Sequence, residues 1–211
     1  MTEPTDGESI YGSNYEQLEA LRQEVTASIA QLRERMTQET GFDPVEHCLS
    51  RIKAEDSMRE KCRRRGLPET TRSALVELFD SIGMRVVCAF RSDVYLVRDH
   101  LASLPGFEIV EEKDYIRNVK PNGYRSLHII MRTTDGRAPV GCGDTQGFYV
   151  EVQLRTISMD TWAALEHHMK YKKAAPANEK LIIDELKRCA DELASTDVSM
   201  QSLRDLILEE S

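Results

Sequence analysis

Gly147-Phe-Tyr-Val-Glu-Val-Gln-Leu-Arg155 alternates apolar and polar residues without a break. Successive side chains of a strand point to opposite faces. Phe148, Val150, Val152 and Leu154 therefore share one face, and Tyr149, Glu151, Gln153 and Arg155 share the other. Ser126 to Arg132 repeats the pattern, with Leu127, Ile129 and Met131 opposing Ser126, His128 and Arg132. Two strands thus each present a row of polar groups on one side. A solvated face of an antiparallel sheet explains that as well as a binding site does, and alternation alone leaves both open.

Working outward, Met84 to Phe90 reads as a buried strand, followed by a helix from Asp93 to Leu104 that Pro105-Gly106 closes. Phe107 to Val110 is a short strand, and Thr134 to Gln146 a turn-rich connection. A helix follows from Ser158 to Tyr171. Beyond Pro176, Leu181, Ile182, Leu186, Leu193, Leu203 and Leu206 recur at helical spacing from Glu179 to Leu208. Toward the N-terminus, Leu18, Leu21, Val25, Ile29, Leu32 and Met36 mark an amphipathic helix from Tyr15, broken at Gly41, Asp43 and Pro44. A second helix is expected from near Ile52 to Arg65, with Ser50 as N-cap and Gly66-Leu67-Pro68 as the stop. Residues 71–80 predict a short third helix. The fold class is α+β, a mixed sheet flanked by helices. Residues 1–13 are expected to dangle, 14–44 to form an N-terminal helix, 45–175 the main domain and 176–211 oligomerising helices.

At 211 residues the chain suits one mid-sized domain with appendages. No apolar run approaches the roughly 20 residues of a membrane span, and Met1 to Ser9 shows no signal-peptide pattern. Five cysteines, scattered and without a C-x-x-C pair, suit a reducing cytoplasm and argue against a disulfide framework or a zinc finger. The net charge of −8 disfavours generic nucleic-acid binding. Between Arg51 and Arg72, however, eight basic residues (Arg51, Lys53, Arg59, Lys61, Arg63, Arg64, Arg65, Arg72) face four acidic ones (Glu55, Asp56, Glu60, Glu69). A local anion site on an acidic protein fits a small polyphosphate.

Lys53, Ser57 and Lys61 fall four apart, which on a helix stacks two ammonium groups and a hydroxyl along one face, suited to a triphosphate or to a plain charged surface. Neither a Walker A loop nor a G-x-G-x-x-G is present, so side chains must hold any nucleotide. Asp80, before Gly83 and a strand, can join Glu151 in holding Mg²⁺, which takes one or two carboxylates plus substrate phosphates. The five histidines show no zinc-binding spacing. Tyr124, in a turn before a strand, can stack on a base or serve as amphipathic filler.

Six ordered blocks then carry a resemblance. They are Arg51-Ile-Lys53-Ala-Glu-Asp-Ser57, Asp80-Ser-Ile-Gly83-Met-Arg85-Val-Val-Cys-Ala-Phe90, Lys113-Asp-Tyr-Ile116, Lys120-Pro-Asn122-Gly-Tyr124-Arg-Ser-Leu-His128, Glu151-Val-Gln153-Leu-Arg155-Thr and Trp162-Ala-Ala-Leu-Glu166-His167. Across about residues 45–173 the chain resembles the synthetase domain of the RelA/SpoT homologues, in particular the RelQ-type small alarmone synthetases. The resemblance implies a polymerase-beta-like nucleotidyltransferase fold, and transfer of pyrophosphate from ATP to the 3′-hydroxyl of GDP or GTP. By the same resemblance, Arg51 and Arg85 sandwich adenine, and Lys53, Ser57 and Lys61 follow the ATP phosphates. Asp80 and Glu151 hold Mg²⁺, with Glu151 also at the attacking hydroxyl. Tyr124 stacks on guanine near Asn122 and His128, while Lys113, Lys120 and Gln153 line the acceptor side.

The resemblance further implies a cytoplasmic homotetramer built from the terminal helices, with an alarmone-binding cleft at its centre whose residues are not assigned. No His-Asp dipeptide occurs, so a hydrolase activity is not expected. Two other readings stay open. One is a toxin of the same superfamily that pyrophosphorylates adenine nucleotides or tRNA 3′ ends, for which Arg63-Arg64-Arg65 could serve tRNA. The other is a non-catalytic regulator that binds nucleotide or RNA.

Overall fold

Leu18, Leu21, Val25, Ile29 and Leu32 line one stripe of the first long helix, α1 (Tyr15–Thr40), and all five are buried. Gly41 ends the helix in the left-handed region at φ 76°, its N–H donating to the Thr37 carbonyl. The computed structural model of the chain describes residues 9–145, 147–171 and 179–209. After α1 come β1 (Val45–Ile52), α2 (Glu55–Arg65), β2 (Ile82–Cys88), α3 (Arg91–Ala102) and β3 (Phe107–Asp114). Then follow β4 (Leu127–Thr133), β5 (Tyr149–Thr156), α4 (Ile157–Tyr171) and α5 (Glu179–Glu209). The five strands form one sheet in the order β1-β2-β5-β4-β3, parallel between β2 and β5 and antiparallel elsewhere. The expected mixed α+β architecture is what the chain adopts.

The sheet has a dry face and a polar face. Ile82, Met84 and Val86 of β2, Val150, Val152 and Leu154 of β5, and Leu127, Ile129 and Met131 of β4 join α1 and Val94, Val97 and Leu101 of α3 in one buried cluster. Register fixes the other face. Gly83 lies between Arg51 and Glu151, Arg85 between Leu49 and Gln153, His128 between Gln153 and Lys113, and Ile130 between Glu151 and Glu111.

Several expectations from the sequence are corrected. The strand β1 replaces the start of the expected second helix, and Ser50 is no N-cap. It sits in β1, where Arg22 donates to its hydroxyl at 2.8 Å. β1 is an edge strand of mixed polarity whose pairing with β2 is tertiary, so local periodicity does not reveal it. The expected helix over 71–80 is a single five-residue π turn, Ser73–Glu77, because Leu78 has already turned extended at φ −112° and ψ 127° to feed β2. β3 runs four residues past the expected Val110, through a bulge between Ile109 and Glu111. Residues 9–13 do not dangle: Ile10 and Tyr11 are buried in the core. Residues 1–8 lie outside those described. The apolar stripe of α1, expected to serve assembly, is consumed inside the fold. α5 differs, for Leu181, Val198, Met200, Leu203, Leu206 and Ile207 are exposed on it.

Candidate active site

Lys53 ends up just before α2 rather than on it, so the spacing of four does not describe a helical stack. Both lysines still converge. Lys53 Nζ and Lys61 Nζ each donate to Asp80 Oδ2, at 2.7 and 2.6 Å. Burial raises the Asp80 carboxyl, and the two ammonium groups more than offset it, so that its pKa lies below the ordinary value. The second oxygen, Oδ1, is buried and makes no hydrogen bond. Ser57 is exposed one turn along α2.

Glu151 stands opposite. Burial first, then the charge of Asp80, pushes its pKa up, with Lys61 and Lys53 acting against the shift. It lines two clefts at once. One, of about 490 Å³, is bounded by Lys61, Arg65, Asp80, Glu111, Lys113 and His128 together with Leu67, Leu78, Phe79 and Ile130. The other, of about 240 Å³, is bounded by Arg51, Gly83, Arg85 and Gln153 with Leu49, Ser50 and Met84. A Cβ added at Gly83 would meet nothing within 4 Å, so the missing side chain leaves open floor between Arg51 and Glu151. Gln153, expected on the acceptor side, lines the Arg51 cleft instead and also reaches Arg155.

Arg155 is a site residue that sequence reasoning quoted but did not assign. Only 5% exposed, it donates to Asp160 Oδ1 at 2.9 Å, to the Tyr124 hydroxyl at 2.8 Å and to Gln153 Oε1 at 3.1 Å. Asp160 also pairs with Arg85 at 3.5 Å. The Tyr124 hydroxyl, which accepts from Arg155, also shares a hydrogen bond with His128 Nε2 at 2.8 Å, the histidine tautomer deciding which of the two donates. Burial, with Arg155, Lys120 and Lys113 nearby, lowers the His128 pKa to about 4. The signal for Arg155 was its place on the polar face of β5, two residues after Gln153.

Tyr124 sits among rings and cations. Tyr115, Trp162 and His128 lie edge-on within 6.2 Å between centroids, and Lys120 Nζ is 5.1 Å and Arg155 Cζ 5.3 Å from its ring. Lys120 covers Tyr115 more closely, at 4.2 Å. The Asn122 amide donates to Glu166, and its oxygen accepts the Tyr124 N–H. Gly123, at φ 90°, packs on α5 so closely that a Cβ there would come within 2.6 Å of Ala190 Cβ. Lys113 is exposed and ion-paired with Glu111. Of the residues singled out in the sequence, Arg51, Lys61, Asp80, Arg85, Lys113, His128, Glu151 and Gln153 line the two clefts and Lys53 meets Asp80, while Ser57, Lys120, Asn122 and Tyr124 line neither cleft.

Two carboxylates flanked by lysines, between two clefts of nucleotide scale, can bind a polyphosphate and accept a proton from a hydroxyl. Among the described residues no group of three or more His, Cys, Asp or Glu is placed to hold a metal. The unpartnered Asp80 Oδ1 beside Glu151 still fits a hard cation that draws its remaining ligands from substrate phosphates and water.

Comparison with known proteins gives the arrangement a family. The chain is 40% identical to the GTP pyrophosphokinase YwaC of Bacillus subtilis over 152 residues, 72% of this chain and 70% of that protein. It is 29% identical to the GTP pyrophosphokinase YjbM of the same organism over 191 residues, 89% of this chain and 85% of the relative. The crystal structure of small alarmone synthetase 1 from Bacillus subtilis bound to its product pppGpp superimposes with a TM-score of 0.72 at 27% identity, covering 92% of this chain and 95% of that one. Small alarmone synthetase 2 from the same organism gives 0.68 at 33% identity, covering 88% and 96%. Residues 50–176, which hold the end of β1, all of β2 to β5 and every residue of the two cleft linings except Leu49, match the model of the region found in RelA and SpoT proteins, so the chain belongs to the RelA/SpoT family.

Proposed function

We propose that this protein is a (p)ppGpp synthetase, transferring pyrophosphate from ATP to the 3′-hydroxyl of GDP or GTP and releasing AMP. The observation that carries the reading is Glu151, shared by a cleft with two arginines and a cleft with lysines and a neutral histidine. Support comes from relatives named GTP pyrophosphokinases and from the likeness to a synthetase bound to pppGpp.

In this reading Arg51 and Arg85 hold adenine by cation–π stacking, and Asp160 keeps Arg85 in place. Lys53 and Lys61 shift from Asp80 toward the ATP phosphates, with Ser57 donating alongside them. Tyr124 stacks on guanine, which competes with Lys120 and Arg155 for the ring faces, while Asn122, His128 and Lys113 bound the acceptor. Glu151 takes the proton of the 3′-hydroxyl as its oxygen bonds to the β-phosphorus and the bond to the AMP oxygen breaks. Its raised pKa makes it a better proton acceptor than an exposed carboxylate. Asp80 and Glu151 would hold Mg²⁺, which when bound neutralises phosphate charge in the transition state.

We further read the exposed leucines and isoleucine of α5 as an assembly surface for a homotetramer, with a regulatory alarmone site as its counterpart. Five free cysteines fit the cytoplasm. Incubating pure protein with labelled ATP and, in turn, GDP, GTP, AMP and tRNA tests the reading. Label should move to the guanine nucleotides. Label on AMP or tRNA would point to the toxin reading, and no transfer to any acceptor would point to a non-catalytic regulator.

A further inference from the structure

Lys53 lies in the short connection between the end of β1 at Ile52 and the start of α2 at Glu55. Its side chain is long and flexible, so the reach of its ammonium group depends on where the backbone is anchored. Both backbone groups are tied. The Lys53 N–H donates to the Ser81 carbonyl at 2.9 Å, beside Asp80. The Lys53 carbonyl accepts from the Tyr11 hydroxyl at 2.6 Å.

Tyr11 itself is completely buried. Its N–H donates to Ser9 Oγ at 3.2 Å, and its carbonyl accepts from Asn14 Nδ2 at 2.9 Å. Asn14 in turn exchanges bonds with Val140, accepting its N–H at 2.7 Å. The same segment holds the first residue of α2: Ser9 Oγ donates to Glu55 Oε1 at 2.7 Å, and the Ile10 N–H to Glu55 Oε2 at 3.1 Å. Residues 9–11 therefore grip the connection at Lys53 and at Glu55. Burial, and then the nearby charges of Asp80 and Glu55, push the phenol well above its ordinary pKa, so the hydroxyl stays a donor.

We propose that Tyr11 is a positioning residue for ATP, fixing the backbone of Lys53 so that its ammonium can pass from Asp80 to the phosphates without losing its anchor. This rests on the reading of Lys53 as an ATP ligand. Nothing in residues 9–11 touches the clefts, so the effect must run through Lys53 and be confined to the ATP side.

Tyr11→Phe keeps the ring and removes one hydroxyl. The ATP KM should rise about three- to tenfold, the size of one lost hydrogen bond, with the acceptor KM and kcat little changed. Binding of a non-hydrolysable ATP analogue, measured by calorimetry, should weaken by the same factor. In a Lys53→Ala background, Tyr11→Phe should add no further loss, because the residue it acts through is gone. An equal loss in both backgrounds, or a rise in the acceptor KM matching that for ATP, would overturn the role and leave Tyr11 a packing residue. If Tyr11→Phe does not fold, Ser9→Ala loosens the Glu55 end of the same grip and is held to the same split. Wild-type protein that transfers no pyrophosphate would defeat the functional reading itself. Wild-type transfer with an unaltered Tyr11→Phe profile would defeat only the positioning role.

Discussion

Glu151→Gln separates the site from the scaffold, because turnover should fall steeply while stability should not fall at all. Glu151 is half-buried on the polar face of β5, and burial together with Asp80 raises its pKa. A carboxyl whose folded pKa exceeds its unfolded value favours the fold fully below the unfolded pKa, near 4.5 here, and loses that contribution as pH rises through the folded value. At pH 8 the charged form is therefore a burden on the folded state. Gln keeps the shape and drops the charge, so the variant should melt at the same temperature or slightly higher at pH 8, with the difference vanishing near pH 4. Catalysis runs the other way. The amide cannot take the 3′-hydroxyl proton and is a poor cation ligand, and losing one such contributor lowers turnover about 10²–10³-fold. The assay is steady-state AMP release at saturating ATP, GDP and Mg²⁺, paired with calorimetric melting at both pH values. Turnover above a tenth of wild type, or a clear drop in melting temperature at pH 8, would refute the assignment of Glu151.

Further outcomes follow from the same geometry. Tyr124→Ala should raise the acceptor KM by a factor equivalent to about 1–3 kcal/mol of base stacking and leave the ATP KM much less affected, as acceptor-saturation curves would show. His128, with its pKa lowered to about 4, contributes stability that is complete above pH 6.5 and lost as pH falls toward 4. His128→Asn should flatten the acid limb of a melting-temperature profile in that window, by at most about 3 kcal/mol. The proposed homotetramer is tested by replacing exposed Leu203 and Ile207 together by Asp, which should lower the mass seen in light scattering while the circular dichroism of the core persists.

The sheet face was the most legible part of the sequence. Strict alternation puts Glu151 and Gln153 on the polar face of β5 and His128 on that of β4, and register joins the two faces and adds Arg51, Arg85 and Lys113. β1 was missed because Val45–Ile52 is an edge strand that only β2 makes regular. The role of Arg155 was hidden for a different reason: its partners Asp160 and Tyr124 come from α4 and from the turn before β4, which no local pattern joins. Tyr11 was misread with the polar residues around it. Composition marks residues 1–13 as hydrophilic, yet Ile10 and Tyr11 suffice to anchor their end of that stretch in the core.

The central claim is that an intact pyrophosphoryl group leaves ATP for a guanosine 3′-hydroxyl, and positional labelling tests it most directly. ATP labelled at the γ-phosphate and ATP labelled at the α-phosphate are each incubated with GDP and the wild-type protein, and the products are separated. The account predicts that γ label appears in a guanosine product bearing a 3′-diphosphate, while α label remains entirely in AMP. Label from the α-phosphate in the guanosine product, or γ label transferred as a single phosphate with ADP released, would contradict it.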